Sequence, residues 1–360
     1  MDKIIRDNKY FSDLKFISKN KNIEVINGLE VEIKDFPNKL KESELYPRVF
    51  IERNKPKNII SLKDGYTYKG IPVEEMRLSM GYKNLDISNG IESIDKVINT
   101  GKYTVPIKIY RPKSDKSKMK CMVFIHGGGF YGGDINVVEN PCKAIADKGN
   151  ITVISIDYSL SPENKYPIAI NECFEVLKYI YDNSSEFNIN KDKIFISGDS
   201  AGGNLALVCA IRDSIENLNI VKQVSLLYPL VSLDDFPWSI ENYNIRKEDI
   251  YSKRAAESLG KVMDIVRKLY LNAEEEQENY EVSPLLFNEN YNIENILVIS
   301  AEFDYLRLQI EDFVKKIGKE KNNVRYILYK GMDHAFLDKL GVYPQAEDCI
   351  DEIVKEINKL

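Results

Sequence analysis

Ser200 is the residue from which a chemical reading of this chain starts. It stands in Gly198-Asp199-Ser200-Ala201-Gly202-Gly203, after a β-branched run at 193–197 and before a helical pattern whose apolar positions include Leu205, Val208 and Cys209. A serine on such a strand-to-helix corner presents its hydroxyl above the sheet. Small residues are needed at 198 and 202 because backbone and helix approach too closely there for larger side chains. The corner also places the hydroxyl at a helix N-terminus, where free N–H groups and the helix dipole favour an oxyanion. The short string alone arises by chance in roughly one chain in fifteen of this size. Its placement between strand and helix is what gives it weight.

The second signal is His126-Gly127-Gly128-Gly129-Phe130, at the end of the apolar run 121–125. Three successive glycines strip side chains from a loop, so that backbone N–H groups can face an oxygen that is gaining charge. A phosphate-binding loop would add a Lys-Ser/Thr pair, which is absent here. A nucleophilic serine needs a base, and the chain has 2 histidines. With His126 in the glycine loop, His334 remains, in Gly331-Met332-Asp333-His334-Ala335-Phe336 just past the apolar run 324–329. The base in turn needs an acid to hold its tautomer. Asp304 lies three residues beyond the run 296–301 and 30 residues before His334 (334 − 304). Glu302, closer to that strand's end, and Asp234 and Asp235, after the preceding strand, are alternatives. Asp333 is adjacent to His334, which points the two side chains apart.

These groups need elements to hold them. From about residue 101 the chain alternates short β-branched runs (103–110, 121–125, 151–157, 193–197, 223–228, 296–301 and 324–329) with longer helical patterns. The runs are nearly continuously apolar, as in strands buried on both faces of a parallel sheet. Cys173, Val176, Leu177 and Ile180 fall at i, i+3, i+4, i+7, as do Ile350, Ile353, Val354 and Ile357. Strict alternation implies an α/β fold, a mostly parallel central sheet with helices on both faces. Two regions depart from it. Residues 1 to about 70 are polar, carry scattered prolines and show no sustained period. Residues 234–286 hold a turn-rich stretch, a helical pattern over 255–271 and the acidic run Glu274-Glu275-Glu276. An insertion of this length between core strands has structure of its own, and a cap over a site at the strand ends is the reading preferred over surface decoration.

Together the two glycine motifs resemble the hormone-sensitive-lipase-like branch of α/β-hydrolases, a family of carboxylesterases. The resemblance runs from about residue 70 to the C-terminus. It includes Asp157-Tyr158-Ser159-Leu160-Ser161-Pro162-Glu163, similar to the family's D-Y-R-L-A-P-E with Ser159 where arginine is usual, and Ser283-Pro284-Leu285. His334 matches the family's G-x-x-H-x-F. Asp304 matches its acid position, although Leu308 replaces the second aspartate of D-x-L-x-D. The resemblance implies a catalytic set of Ser200, Asp304 and His334, and an oxyanion hole from the N–H groups of Gly128, Gly129 and Ala201. It implies residues 71–233 and 287–360 as an α/β-hydrolase core, 1–70 as an N-terminal cap or extension and 234–286 as a cap insertion. It further implies hydrolysis of small, short-acyl esters through an acyl-enzyme, with no cofactor and no metal. An amidase or arylformamidase would use the same set on C–N bonds. A catalytically silent ligand-binding relative would be expected to have lost Ser200 or His334, and both are present.

Composition narrows the remaining classes. The 360 residues are 43% hydrophobic and 29% charged, with a formal charge of −6. That is ordinary for a globular chain and leaves no basic field for a phosphate backbone, so nucleic acid is not an expected partner. The charged N-terminus lacks the apolar core of a secretory signal, and the apolar stretches are about half of a membrane span. Five widely spaced cysteines without a C-x-x-C pair read as small buried hydrophobes in a reducing, cytoplasmic setting. The expected partner is a small-molecule ester, with no membrane, and a homodimer is left open.

Overall fold

A ten-stranded sheet carries the molecule's chemistry along one edge. The structure, a computed structural model, describes residues 6–26, 28–40, 44–55, 61–81, 84–113, 118–234, 250–319 and 323–360, with backbone alone over 250–259. Its strands are β1 (Asn22–Ile26), β2 (Leu29–Lys34), β3 (Ile91–Asn99), β4 (Thr104–Pro112), β5 (Met119–Ile125), β6 (Thr152–Ile156), β7 (Ile189–Asp199), β8 (Val221–Leu227), β9 (Asn295–Ala301) and β10 (Asn323–Tyr329). Their order is β1-β2-β10-β9-β8-β7-β5-β6-β4-β3. From β2 across to β6 every pairing is parallel, and the outer pairs β1/β2, β6/β4 and β4/β3 are antiparallel.

All seven apolar runs read from the sequence are strands, β4 through β10. In β5 the side chains from Cys121 to Ile125 are buried without a break, as a strand covered on both faces requires. The helices are α1 (Asn8–Lys19), α2 (Pro47–Arg53), α3 (Val73–Leu78), α4 (Glu139–Gly149), α5 (Ile168–Asp182), α6 (Ala201–Ile215), α7 (Ile250–Tyr270), α8 (Arg307–Ile317) and α9 (Pro344–Asn358). The periodic positions of α5 and α9 named above are all buried. α5 packs on α6, whereas α1 and α4 both pack on α9, so the sheet is covered by two separate helix groups.

The first seventy residues hold more order than their sequence promised. β2 runs parallel to β10 and extends the sheet, with Leu29, Val31 and Ile33 buried and Glu30 exposed. Lys34 at its end is fully buried, and its ammonium meets Asp348 at 2.9 Å and Glu352 at 2.8 Å, both on α9. A buried cation is tolerable only when paired in this way. β1 is an edge strand whose side chains are mostly exposed, so it carries no burial pattern to read. Of the segment 234–286, α7 covers the expected helical pattern, while Asp235 and the turn-rich stretch that follows lie outside the described residues. Among the described residues no helix is long and apolar enough to cross a membrane.

Parallel strands end at a common edge. β5 runs into the His126 loop, β7 into Ser200, β9 into Asp304 and β10 into His334. Crevices outside the carboxyl ends of such strands are where open α/β sheets place their sites.

Candidate active site

Ser200 sits at the N-cap of α6 with φ 54° and ψ −118°. A side-chain-bearing residue pays about 1–3 kcal/mol for that backbone, and it persists only where the surroundings over-determine it. Here they do. The Ser200 N–H donates to the Leu227 carbonyl at 2.9 Å, and its own carbonyl accepts from Asn204 at 3.1 Å and Leu230 at 3.0 Å. A Cβ at Gly198 would run into the Gly202 carbonyl, and one at Gly202 into the carbonyls of Ile125 and His126. Glycine at 198 and 202 is therefore a steric requirement of the corner.

The serine hydroxyl meets an imidazole. Ser200 Oγ lies 2.9 Å from His334 Nε2, and His334 Nδ1 lies 2.8 Å from Asp304 Oδ2. Asp304 is fully buried, and its other oxygen accepts from the Leu306 N–H at 2.7 Å, which orients the carboxylate. The ring is packed between Tyr228 and Tyr305, at centroid distances of 5.1 and 4.5 Å. Burial of the ring would lower its pKa. Asp304, by charge and hydrogen bond, with smaller contributions from Asp199 and Asp333, overcomes this and holds His334 above the ordinary histidine value.

The other described acid candidates make different contacts. Glu302 accepts from Gly331 N–H at 2.9 Å and pairs with Lys330 at 3.1 Å, so it ties down the loop that leads to His334. Asp333 is paired with Arg53 at 2.8 Å, and Asp234, after β8, donates its backbone N–H to the Ser232 hydroxyl at 3.2 Å. His126 points away from Ser200. Its Nδ1 is 2.8 Å from the Gly127 carbonyl, its ring stacks on Tyr158, and burial holds its pKa below the ordinary value.

Gly128 and Gly129 line the same cavity as Ser200 and His334, and both have positive φ, 121° and 61°. The N–H groups of Gly128, Gly129 and Ala201 find no acceptor among the described residues. Asp199, quoted within the serine motif but given no role there, braces the glycine loop, since its Oδ1 accepts from Gly127 N–H at 2.9 Å. Burial pushes its carboxyl up to about 6, against the opposing pull of that N–H and of His334.

The cavity measures about 240 Å³. One wall is Val262, Met263 and Val266 of α7, and a second is Ser79, Met80 and Gly81 just beyond α3. Asp338 reaches it from the turn after His334. Sequence reading missed these wall residues. The apolar stripe of α7 was the available signal for the first set, and the second carries none. Among the described residues there is no cluster of three or more His, Cys, Asp and Glu able to hold a metal ion.

A serine on a strand-to-helix corner of a mostly parallel sheet, with a histidine beyond the last parallel strand, is the arrangement of the α/β-hydrolase class. Residues 122–338 match the family model of the alpha/beta hydrolase fold. The chain is 31% identical over 268 residues to an arylesterase of Saccharolobus solfataricus, covering 74% of this chain and 84% of that protein. It is 30% identical over 262 residues to an acetyl esterase of Salmonella enteritidis PT4, covering 69% and 74%. Among solved structures, a fungal esterase from Rhizomucor miehei superposes with a TM-score of 0.74 at 25% identity, over 89% of this chain and 97% of that one. The chain belongs to the α/β-hydrolase family, in its hormone-sensitive-lipase-like branch.

Proposed function

We propose that the chain is a serine carboxylesterase that hydrolyses small, short-acyl esters through an acyl-enzyme. The observation that carries this reading is the continuous hydrogen-bonded relay Ser200–His334–Asp304, at 2.9 and 2.8 Å. His334 Nε2 takes the Ser200 proton as Oγ attacks the ester carbonyl. The carbonyl oxygen gains the negative charge and is held by the N–H groups of Gly128, Gly129 and Ala201. Collapse breaks the ester C–O bond, and the leaving alkoxide receives the proton from His334. Water, deprotonated by the same imidazole, then attacks the acyl-serine, and its breakdown returns the hydroxyl to Ser200 and releases the acid. Asp304 holds the ring through Nδ1 and stabilises the imidazolium. No step calls for a cofactor.

Residues 71–233 and 287–360 form the catalytic core in this proposal, with 234–286 as a cap whose α7 narrows the cavity. A space of about 240 Å³ beside Ser200 supports small substrates. The test is an acyl series of p-nitrophenyl esters. The acetate and butyrate are expected to turn over best, with kcat/KM falling at least about tenfold by the decanoate, because the surplus methylenes extend beyond the space next to Ser200. Faster turnover of long chains than of acetate would refute the short-acyl assignment. A cytoplasmic location belongs to the same proposal, supported by five cysteines that are all buried and unpaired.

The pH profile tests the base. Only neutral imidazole accepts the serine proton, so kcat/KM is expected to fall as pH drops through the pKa of His334. That pKa is raised, so the acid limb should be centred above about 6.5, the ordinary histidine value. A profile flat from pH 5 to 8 would count against His334 as the base.

A further inference from the structure

The glycine loop is gripped from a short helix outside the sheet by a side chain that the mechanism above does not use. Arg77, in α3, donates from Nε to the Tyr131 carbonyl at 2.6 Å and from Nη2 to the Ser161 carbonyl at 2.8 Å. The same guanidinium makes a two-pronged pair with Glu163, at 2.9 and 2.6 Å. The two carbonyls it holds both bear on the loop. Ser161 uses its own N–H to hold the Phe130 carbonyl at 2.9 Å.

The Tyr131 carbonyl leads further. It shares a planar peptide unit with the Gly132 N–H, which points the opposite way. That N–H donates to the Gly128 carbonyl at 2.9 Å, joined by the Tyr131 N–H at 3.2 Å. The Gly128 carbonyl in turn shares its peptide unit with the Gly129 N–H, one of the assigned oxyanion donors. A line therefore runs from the guanidinium through two peptide units, each accepting at one end and donating at the other, to the place where negative charge develops. A cation at the head of such a chain orients the units and polarises each N–H in the same sense.

We propose that Arg77 is a positioning residue for the oxyanion hole, aiming and polarising the Gly129 N–H through the Tyr131–Gly132 and Gly128–Gly129 peptides. The proposal rests on the esterase reading above. It also gives the stretch just after residue 70 a part in the chemistry, because α3 delivers the guanidinium and the adjoining Met80 lines the cavity.

Arg77→Ala and Arg77→Lys are compared with wild type on p-nitrophenyl acetate, with melting temperature as the check on folding. For Arg77→Ala, kcat is expected to fall about 10–100-fold with KM within about threefold, the size of loss that slight misplacement of an oxyanion donor causes. Added methylguanidinium should restore part of it. A lysine cannot span both carbonyls and the carboxylate, so Arg77→Lys should fall between wild type and alanine. The distinguishing readout is inhibition. A trifluoromethyl ketone, which forms an oxyanion on adding Ser200, should lose affinity in step with kcat/KM, while the parent methyl ketone keeps its affinity. Folded Arg77→Ala with kcat within about twofold of wild type would overturn the proposal, as would equal losses for the two ketones. Should the alanine variant fail to fold, the lysine variant is read by the same ketone ratio. Wild-type protein that leaves the acetate ester intact would instead defeat the esterase reading, and this inference with it.

Discussion

Ser200→Ala is expected to reduce p-nitrophenyl acetate turnover to the background of the solution reaction, a loss of about 10⁵–10⁶-fold in kcat. The substitution removes one oxygen and leaves Cβ, so the backbone at φ 54° and its bonds to Leu227, Asn204 and Leu230 have no reason to change. The variant should fold with unchanged circular dichroism and retain the cavity. What it loses is the atom that, in the proposed mechanism, becomes bonded to the acyl group. Steady-state rates with a burst experiment check this. Wild type should release a stoichiometric pulse of nitrophenol when deacylation is slower than acylation, and the variant none. Undiminished turnover in a folded variant would remove Ser200 from the mechanism.

Asp304→Asn is expected to cost about 10⁴-fold in kcat while leaving the fold intact. The buried carboxylate accepts at 2.8 Å from His334 Nδ1, which keeps the ring proton on that nitrogen and leaves Nε2 free to accept from the serine. An amide in the same place can present its NH₂ to Nδ1, which moves the proton to Nε2 and blocks the base. The same variant should shift the acid limb to lower pH, because Asp304 is the largest of the groups that raise the His334 pKa against burial. Glu302→Gln and Asp234→Asn are the comparisons. Glu302 braces Gly331 and Lys330, so its amide variant should lose activity modestly, within about tenfold, and Asp234→Asn should resemble wild type. A large loss in either, with Asp304→Asn active, would relocate the acid.

The parts of this site that were legible in the sequence are those whose chemistry leaves a local mark. Buried parallel strands show as unbroken apolar runs, so β4 to β10 were readable. A serine between a strand and a helix with glycines at fixed offsets was readable, as were the glycine loop and the last unassigned histidine. Asp304 was separable from Glu302 only by resemblance, because two carboxylates two residues apart differ in reach, and reach depends on how β9 ends. β2 carried a usable alternation at Leu29, Val31 and Ile33, short enough to be lost in its polar surroundings. β3 lies at the opposite sheet edge with most of its side chains at least partly exposed, so no burial pattern marked it. The arginine expected at position 159 is absent, and the structure shows what Ser159 does instead. Its N–H and hydroxyl both bond Glu172, at 2.7 and 2.8 Å. Arg77 was invisible because its role depends on three carbonyl and carboxylate partners that lie 54 to 86 positions away in sequence.

The relay leaves the sheet from β7, β9 and β10, and the chain's long detour departs after β8 and returns at β9. Neighbouring strands are locked about 4.8 Å apart by their ladders, so the spans between the reacting groups are counted out in rungs. Among the detour's described residues, Val262, Met263 and Val266 meet those groups as cavity wall. A lineage carrying this scaffold is thus free to drift in what it admits while its reactor keeps the same dimensions, and substrate taste can be inherited separately from the power to cut.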